Sequence, residues 1–260
     1  MLLSIRMLLM SLHFMIAGVL GVLLGICRPF NPDNSRLCAR LYAWPSKWIL
    51  GYRLKAEVGP LMDKPQSCVI VANHQSNYDL FVFGNVVPKR TVCIGKKNLK
   101  WVPLFGQLFW LAGNVLIDRG NAQKARQSML TTTRTLQEKD TSIWVFAEGT
   151  RNFGKALLPF KKGAFQMAIS AGVPIVPVCV STYSQHLKLN RWHSADIEIR
   201  SLPPIPTAGL TLEDMPALME QCREQMRECI EAMDRELLAQ QNHRLPPMAG
   251  GKTPASNPNL

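Results

Sequence analysis

Residues 7–26, MLLMSLHFMIAGVLGVLLGI, carry no charged side chain, and an apolar run of that length constrains the chain more than any other feature. As a helix rising about 1.5 Å per residue it reaches roughly 30 Å, the hydrocarbon thickness of a bilayer, and so predicts membrane attachment. A cleaved signal peptide is the competing reading, because Arg6 precedes the run. The apolar part exceeds a usual signal core and no Ala-x-Ala site ends it, which favours retention. Arg28, Arg36, Arg40, Lys47, Arg53 and Lys55 follow, against Asp33 and Glu57 alone, and that excess marks the next segment as cytoplasmic. Residues 36–54, with Trp44, Trp48 and Tyr52 among basic residues, read as interfacial, either in the headgroup layer or as a two-helix anchor with the first segment. Residues 1–55 are therefore expected to form a membrane-anchoring, interfacial helical segment. Gly21-x3-Gly25 permits close helix packing.

The run Asn73-His74-Gln75-Ser76-Asn77-Tyr78-Asp79 leaves directly from the apolar Cys68-Val69-Ile70-Val71-Ala72. Read chemically, it is a base and its orienting carboxylate at a strand exit. Ser76 and Asp79 have the spacing of a helix capping box, and Leu80-Phe81-Val82-Phe83 would be the helix they start. In a rigid helix, positions i and i+5 diverge by about 140°, so the pair meets only if the chain turns between them. Strand, turn and helix supply that bend. An imidazole with a pKa near 6.5 takes a proton from a hydroxyl as it attacks a carbonyl, and a carboxylate on the other ring nitrogen fixes the tautomer. No Gly-x-Ser-x-Gly elbow supplies the hydroxyl, so the substrate is expected to bring it, in a transferase without a covalent intermediate. A buried histidine satisfied by a nearby aspartate is the structural alternative.

Thr141-Ser142-Ile143-Trp144-Val145-Phe146 reads as a strand ending at Glu148-Gly149, which sends Arg151 from the carboxyl edge of a sheet, where α/β folds place ligands. A guanidinium there grips a phosphate with two parallel hydrogen bonds, and Gly149 allows close backbone approach. Arg119, after Val115-Leu116-Ile117, repeats the arrangement, with Asp118 as a local partner; Lys96 and Lys97 add positive charge. The structural alternative for each is a solvated surface charge. Val173-Pro174-Ile175-Val176-Pro177-Val178 holds no donor or nucleophile and reads as a buried strand with its prolines at the start or edge.

The His74/Asp79 block, the Gly95-Lys96-Lys97-Asn98-Leu99-Lys100-Trp101-Val102-Pro103-Leu104-Phe105-Gly106 block leading to Ile117-Asp118-Arg119, the Phe146-Ala147-Glu148-Gly149-Thr150-Arg151 block and the proline-bearing strand occur in this order. They resemble the four motifs of the glycerolipid acyltransferase family, and within it the bacterial enzymes that acylate 1-acyl-sn-glycerol-3-phosphate. The resemblance runs from the N-terminal apolar segment to Pro204. It departs at Ala147, where family members often carry proline, a residue with no proton to move and no charge to bind. The resemblance implies an acyl group passing from acyl-CoA or acyl carrier protein to the sn-2 hydroxyl of lysophosphatidic acid, making phosphatidic acid. His74 would be the general base, oriented by Asp79. Arg119, Arg151, Lys96, Glu148, Gly149 and Thr150 would form the phosphate-binding set, and the last motif would belong to the acyl-donor region. No cofactor is implied beyond the thioester co-substrate. The implied location is the bacterial inner membrane, with the catalytic domain on its cytoplasmic side. Glycerol 3-phosphate is the rival acceptor, and a non-enzymatic anionic-lipid binding protein is the reading from another class.

The 260 residues, 47% hydrophobic, suffice for one sizeable core, and the net charge of +12 needs a partner. No helix-turn-helix, zinc-finger or aromatic RNA-binding signature appears, so anionic membrane lipids rather than nucleic acid are the expected partner. Seven cysteines without paired close spacing predict reduced thiols, and the scattered His13, His186, His193 and His243 predict no metal site. Residues 120–140 read as a polar-faced helix. Residues 212–241 carry a helical stripe of Met215, Leu218, Met219, Cys222, Met226, Cys229, Ile230, Met233 and Leu237. The order of strands and helices predicts an α/β fold, a central mixed sheet flanked by helices over residues 56–241, followed by a disordered tail over 242–260.

Overall fold

Short β-branched runs bounded by turns build the sheet. In a computed structural model, which describes residues 1–59, 62, 67–118, 120, 132–133 and 140–244, the strands are β1 (Tyr52–Glu57), β2 (Val69–Ala72), β3 (Thr91–Lys96), β4 (Val115–Ile117), β5 (Ser142–Phe146), β6 (Ile175–Val180) and β7 (Ala195–Ser201). Their order across the sheet is β1-β7-β6-β2-β5-β3-β4. The ladders β6-β2, β2-β5, β5-β3 and β3-β4 are all parallel, so these strands end on one edge. Among the ladders of the described strands, β6-β7 alone is antiparallel, which makes the sheet mixed; β1 follows β7 in parallel.

Every residue of β2 and β6 is buried, as expected of strands covered on both faces. Side chains alternate between two cores. Ile70, Ala72, Trp144 and Val178 meet Tyr42 and Leu50 of α2 (Asp33–Leu50) and Phe83 of α3 (Asp79–Phe83). Val69, Val71, Ile143 and Cys179 meet Phe165 and Met167 of a helix over Lys162–Ala171, and Leu218, Cys222, Met226 and Met233 of a helix over Met215–Arg244. These two helices are α5 and α6, since α4 (Phe105–Leu111) precedes them. The apolar stripe read from the sequence is thus the docking face of α6; Leu212 lies before the helix and is exposed.

The N-terminal run forms α1 (Leu2–Cys27), which packs along α2 and α4. Its small residues face α4: a Cβ at Gly18 would lie 2.9 Å from Leu104 Cβ, and one at Gly25 2.7 Å from Leu111 Cβ. The glycine spacing therefore serves packing within the chain. Arg6 lies inside α1 and is buried, its guanidinium donating to the carbonyls of Leu189, Arg191 and Trp192 at 3.0, 2.6 and 2.7 Å. Gly51 closes α2 at φ +74°, and a Cβ there would stand 2.3 Å from Trp192 O. The opposite side of α1, with Leu8, Leu12, Met15, Val19, Leu23 and Ile26, is exposed.

The structure redraws several expected boundaries. The division after residue 55 falls inside β1, a strand of the sheet, and Tyr52 is buried with its hydroxyl donating to Phe81 O at 3.0 Å. Of the aromatics expected to be interfacial, only Trp44 and Trp48, on α2, are exposed. Pro177 stands in mid-strand between β2 and β7, not at an edge. It is tolerated because β6-β7 pairing starts only at Val178; on that side Pro177 needs only its carbonyl, which accepts from Leu202 N at 2.9 Å. Helix α6 runs to Arg244, so residues 242–244, expected in the disordered tail, are helical, and the rest of that expectation, 245–260, lies outside the described residues. Arg119 and all of the helix expected over 120–140 except Gly120, Thr132, Thr133 and Asp140 also lie outside them.

Candidate active site

Strand β2 ends at Ala72, and the chain turns before entering α3 at Asp79. That turn closes the gap: His74 Nδ1 lies 2.5 Å from Asp79 Oδ2. A carboxylate only accepts, so the imidazole proton sits on Nδ1 and Nε2 is left as an acceptor. The same Oδ2 accepts the backbone N–H groups of Gln75 at 2.7 Å and Ser76 at 3.0 Å. The capping box is half formed: Asp79 caps Ser76 N, while the Ser76 hydroxyl accepts from Tyr78 N at 3.0 Å. Asp79 is 1% exposed and His74 23%, so the imidazole is partly open to solvent while its partner is sealed. Phe146, at the end of β5, stacks under the imidazole at 4.1 Å between ring centroids and 18° between planes.

Residues next to the pair tie its loop to the rest of the edge. The Asn73 amide spans to β6, donating to Val180 O at 3.0 Å and accepting from Val180 N at 2.9 Å. Gln75 donates to Ser181 O at 2.8 Å and accepts from Tyr183 N at 3.1 Å. On the other side, Asn152 N and Phe153 N donate to the carbonyls of His74 and Gln75 at 2.9 and 3.1 Å, so the loop after β5 is laced to the loop after β2.

Glu148 is placed differently from the phosphate-binding role expected for it. Its carboxylate is 1% exposed and accepts from His74 N at 2.8 Å, Leu158 N at 2.9 Å and Asn152 Nδ2 at 3.0 Å. Burial pushes its carboxyl pKa up, against those hydrogen bonds. A buried anion already holding the chain's own donors would repel a phosphate. Glu148 instead fixes the backbone of His74 and shapes the loop carrying Arg151.

Arg151 is half-buried, and its Nη1 donates to Asn77 Oδ1 at 2.5 Å, three residues beyond His74. It also lies 5.9 Å from the Phe153 ring centroid. Gly149 sits at φ +70° in the turn before it, and Thr150 is exposed. Lys96 is exposed at the end of β3, two strands from β2, roughly 10 Å away at the usual interstrand spacing. Lys97 pairs with Asp118 at 3.0 Å. Arg119 follows β4 by two residues, outside the described residues. The strand order thus brings His74, Arg151 and Lys96 to one edge.

Four residues of this site carry no sequence signal for their roles. Asn73 and Gln75 lie inside the recognised run but read as filler, and Asn152 reads as an ordinary loop amide. Tyr183, whose hydroxyl donates to Asp79 Oδ1 at 2.5 Å, is 104 residues from its partner. All seven cysteines are free thiols.

Comparison with known proteins identifies the family. An acyltransferase family model matches residues 58–181, the span from the end of β1 to just past β6. The 1-acyl-sn-glycerol-3-phosphate acyltransferase of Escherichia coli is 37% identical over 232 residues, covering 89% of this chain and 94% of the relative. The enzyme of that name from Haemophilus influenzae is 38% identical over 235 residues, covering 90% and 97%. The human alpha form is 39% identical over 211 residues, covering 80% and 74%. The crystal structure of the 1-acyl-sn-glycerophosphate (LPA) acyltransferase from Thermotoga maritima superposes with a TM-score of 0.65 at 23% identity, over 89% of this chain and 97% of that one, and shares the fold. With a histidine–aspartate pair at the head of the sheet edge and two bacterial relatives this similar over nearly their whole length, the chain belongs to the 1-acyl-sn-glycerol-3-phosphate acyltransferase family.

Proposed function

We propose that this enzyme transfers a fatty acyl group from the thioester of acyl-CoA or acyl carrier protein to the sn-2 hydroxyl of lysophosphatidic acid, giving phosphatidic acid. The observation that carries the reading is the His74–Asp79 pair, with Nδ1 engaged by a sealed carboxylate and the imidazole partly open to solvent. The acceptor hydroxyl gives its proton to Nε2 as its oxygen attacks the thioester carbonyl. Asp79 stabilises the imidazolium that results. Collapse of the tetrahedral intermediate breaks the carbon–sulfur bond, and the departing thiolate takes the proton back from His74. The acyl group is never attached to the protein. The base and the thioester leaving group account for the chemistry without a metal or other cofactor, so the thioester carrier is a co-substrate.

Arg151 is the first candidate to hold the acceptor's phosphate, because Asn77 and the flanking backbone bonds fix it beside the base. Gly149 and Thr150 complete that turn, and Lys96 adds positive charge at the end of β3; Arg119, which follows β4 in the sequence, is the remaining candidate. Membrane association follows from α1, whose outward side is apolar along its length. Within this reading α1 lies in the proximal leaflet of the inner membrane, with the catalytic domain and its anionic-lipid contacts on the cytoplasmic side. Two features support that posture: α4 covers the glycine side of α1, and Arg6 binds carbonyls of the β6–β7 loop. A helix so engaged cannot be surrounded by lipid.

The test is acyl transfer by purified protein in bilayer or micelle, with acyl-CoA and acyl carrier protein thioesters as donors and lysophosphatidic acid or glycerol 3-phosphate as acceptors. Wild type should acylate lysophosphatidic acid, and a folded His74→Ala protein should lose about two to four orders of magnitude in turnover. Use of glycerol 3-phosphate alone, or near-normal turnover in His74→Ala, would overturn the proposal.

A further inference from the structure

We infer that Tyr183 is a positioning residue of the catalytic assembly, whose hydroxyl holds Asp79 in place and tempers the charge that Asp79 presents to His74. The inference rests on the reading of His74 as the base. The two carboxylate oxygens of Asp79 have separate duties. Oδ2 takes the imidazole and two loop amides, while Oδ1 takes the Tyr183 hydroxyl at 2.5 Å. Rotation about an aspartate's terminal bond is soft, so a donor on the far oxygen adds to the two loop amides in keeping Oδ2 aimed at the ring.

Tyr183 is itself held. It is 1% exposed. Its backbone N–H donates to Gln75 Oε1 at 3.1 Å, and the N–H of the preceding Thr182 donates to Asp234 Oδ1 on α6 at 2.7 Å. Burial, and then the neighbouring Asp79 charge, push its phenol well above the ordinary tyrosine pKa, so it stays a donor wherever the enzyme works. A buried tyrosine that only fills the core also finds a partner for its hydroxyl. The electrostatic consequence separates the two roles. A donor on Asp79 draws off part of the charge the carboxylate presents to the ring, so removing or strengthening that donor should move the pH dependence of turnover, which core filling would not.

The experiment compares full-length wild type, Tyr183→Phe, a protein carrying 3,5-difluorotyrosine at position 183, and His74→Ala, all assayed for acyl transfer across pH. With Tyr183→Phe, kcat should fall about tenfold with both KM values within about twofold of wild type. The acid limb of kcat/KM should move up by roughly half a pH unit to one unit. Difluorotyrosine is nearly the same size and a stronger donor, so its acid limb should move the other way. If Tyr183→Phe does not fold, that opposite shift carries the test alone. An acid limb unmoved in every folded Tyr183 variant, with His74→Ala inactive, would reduce Tyr183 to core filling and leave the base intact. Normal turnover in His74→Ala would remove the base, and the inference with it.

Discussion

The edge of the sheet that carries His74 and the layer formed by α1 are held by opposite means. At the edge, donors from distant parts of the chain converge on two carboxylates, each 1% exposed, Asp79 and Glu148. Along α1 the close contacts come from missing side chains, at Gly18, Gly21 and Gly25, with Arg6 as the one buried charge. Hydrogen bonds to a buried anion are directional and leave orphaned groups when broken, so errors there appear in chemistry and local order. Packing against glycine depends on volume, so errors appear as strain. One region is therefore sensitive to atom type and the other to atom count.

The sharpest way to break this contrast is Asp79→Asn, which keeps the shape and removes the charge. Turnover should fall by about two to four orders of magnitude, with vesicle attachment unchanged. Steady-state kcat alongside a melting curve decides it, and near-normal turnover would show that shape alone suffices.

Glu148→Ala comes next. It strips the acceptor from His74 N, Leu158 N and Asn152 Nδ2, and should cost about 2–5 kcal/mol of stability. Denaturant unfolding reads this. Unaltered stability with a raised KM for the acceptor would restore the phosphate-binding role that the geometry argues against.

Arg151→Ala should lower acceptor specificity about ten- to a hundredfold and erase much of the preference for lysophosphatidic acid over neutral monoacylglycerol. Arg151→Lys should recover only part, because an ammonium lacks the planar two-point grip. Kinetics with acceptor and donor varied in turn check this; an unchanged preference would pass the role to Lys96 or Arg119.

Gly25→Leu tests the other region. With Leu111 Cβ 2.7 Å from where a Cβ would stand, the change should cost about 1–3 kcal/mol and leave the catalytic pH profile untouched. An unshifted melting temperature would mean that the α1–α4 contact yields freely.

The smallest effect on stability should come from the outward side of α1. Leu12→Ser with Leu23→Ser should shift folding in detergent by no more than about 0.5 kcal/mol per site, yet reduce co-sedimentation with anionic vesicles. Retained co-sedimentation would move the membrane contact to Trp44 and Trp48 on α2.

Much of this was legible from local pattern. Strands β2, β5 and β6 lie where the β-branched runs stand, and the α6 stripe buries Leu218, Cys222, Met226 and Met233 as its period implies. The bend needed for His74 to reach Asp79 followed from helical geometry alone. Less legible was anything set by a partner far along the chain. Nothing around Glu148 shows that its carboxylate is consumed by His74 N, 74 residues away, and a motif glutamate beside Arg151 was grouped with it as a ligand residue. Tyr52 carried the marks of an interfacial aromatic until its hydroxyl was found on Phe81 O inside the core.

By itself the sequence determined the apolar N-terminal helix, the histidine and carboxylate pair, and the family motifs in order, because residue type and short spacing carry those features. Tertiary structure alone decided that β2, β5, β3 and β4 lie side by side with their carboxyl ends on one edge. It also decided that α1 is a docked layer rather than a free anchor, and that Tyr183 stands behind Asp79. Strand order, a helix's neighbours and the partner of a buried carboxylate depend on contacts between residues far apart in the chain, and such contacts leave no periodicity along it.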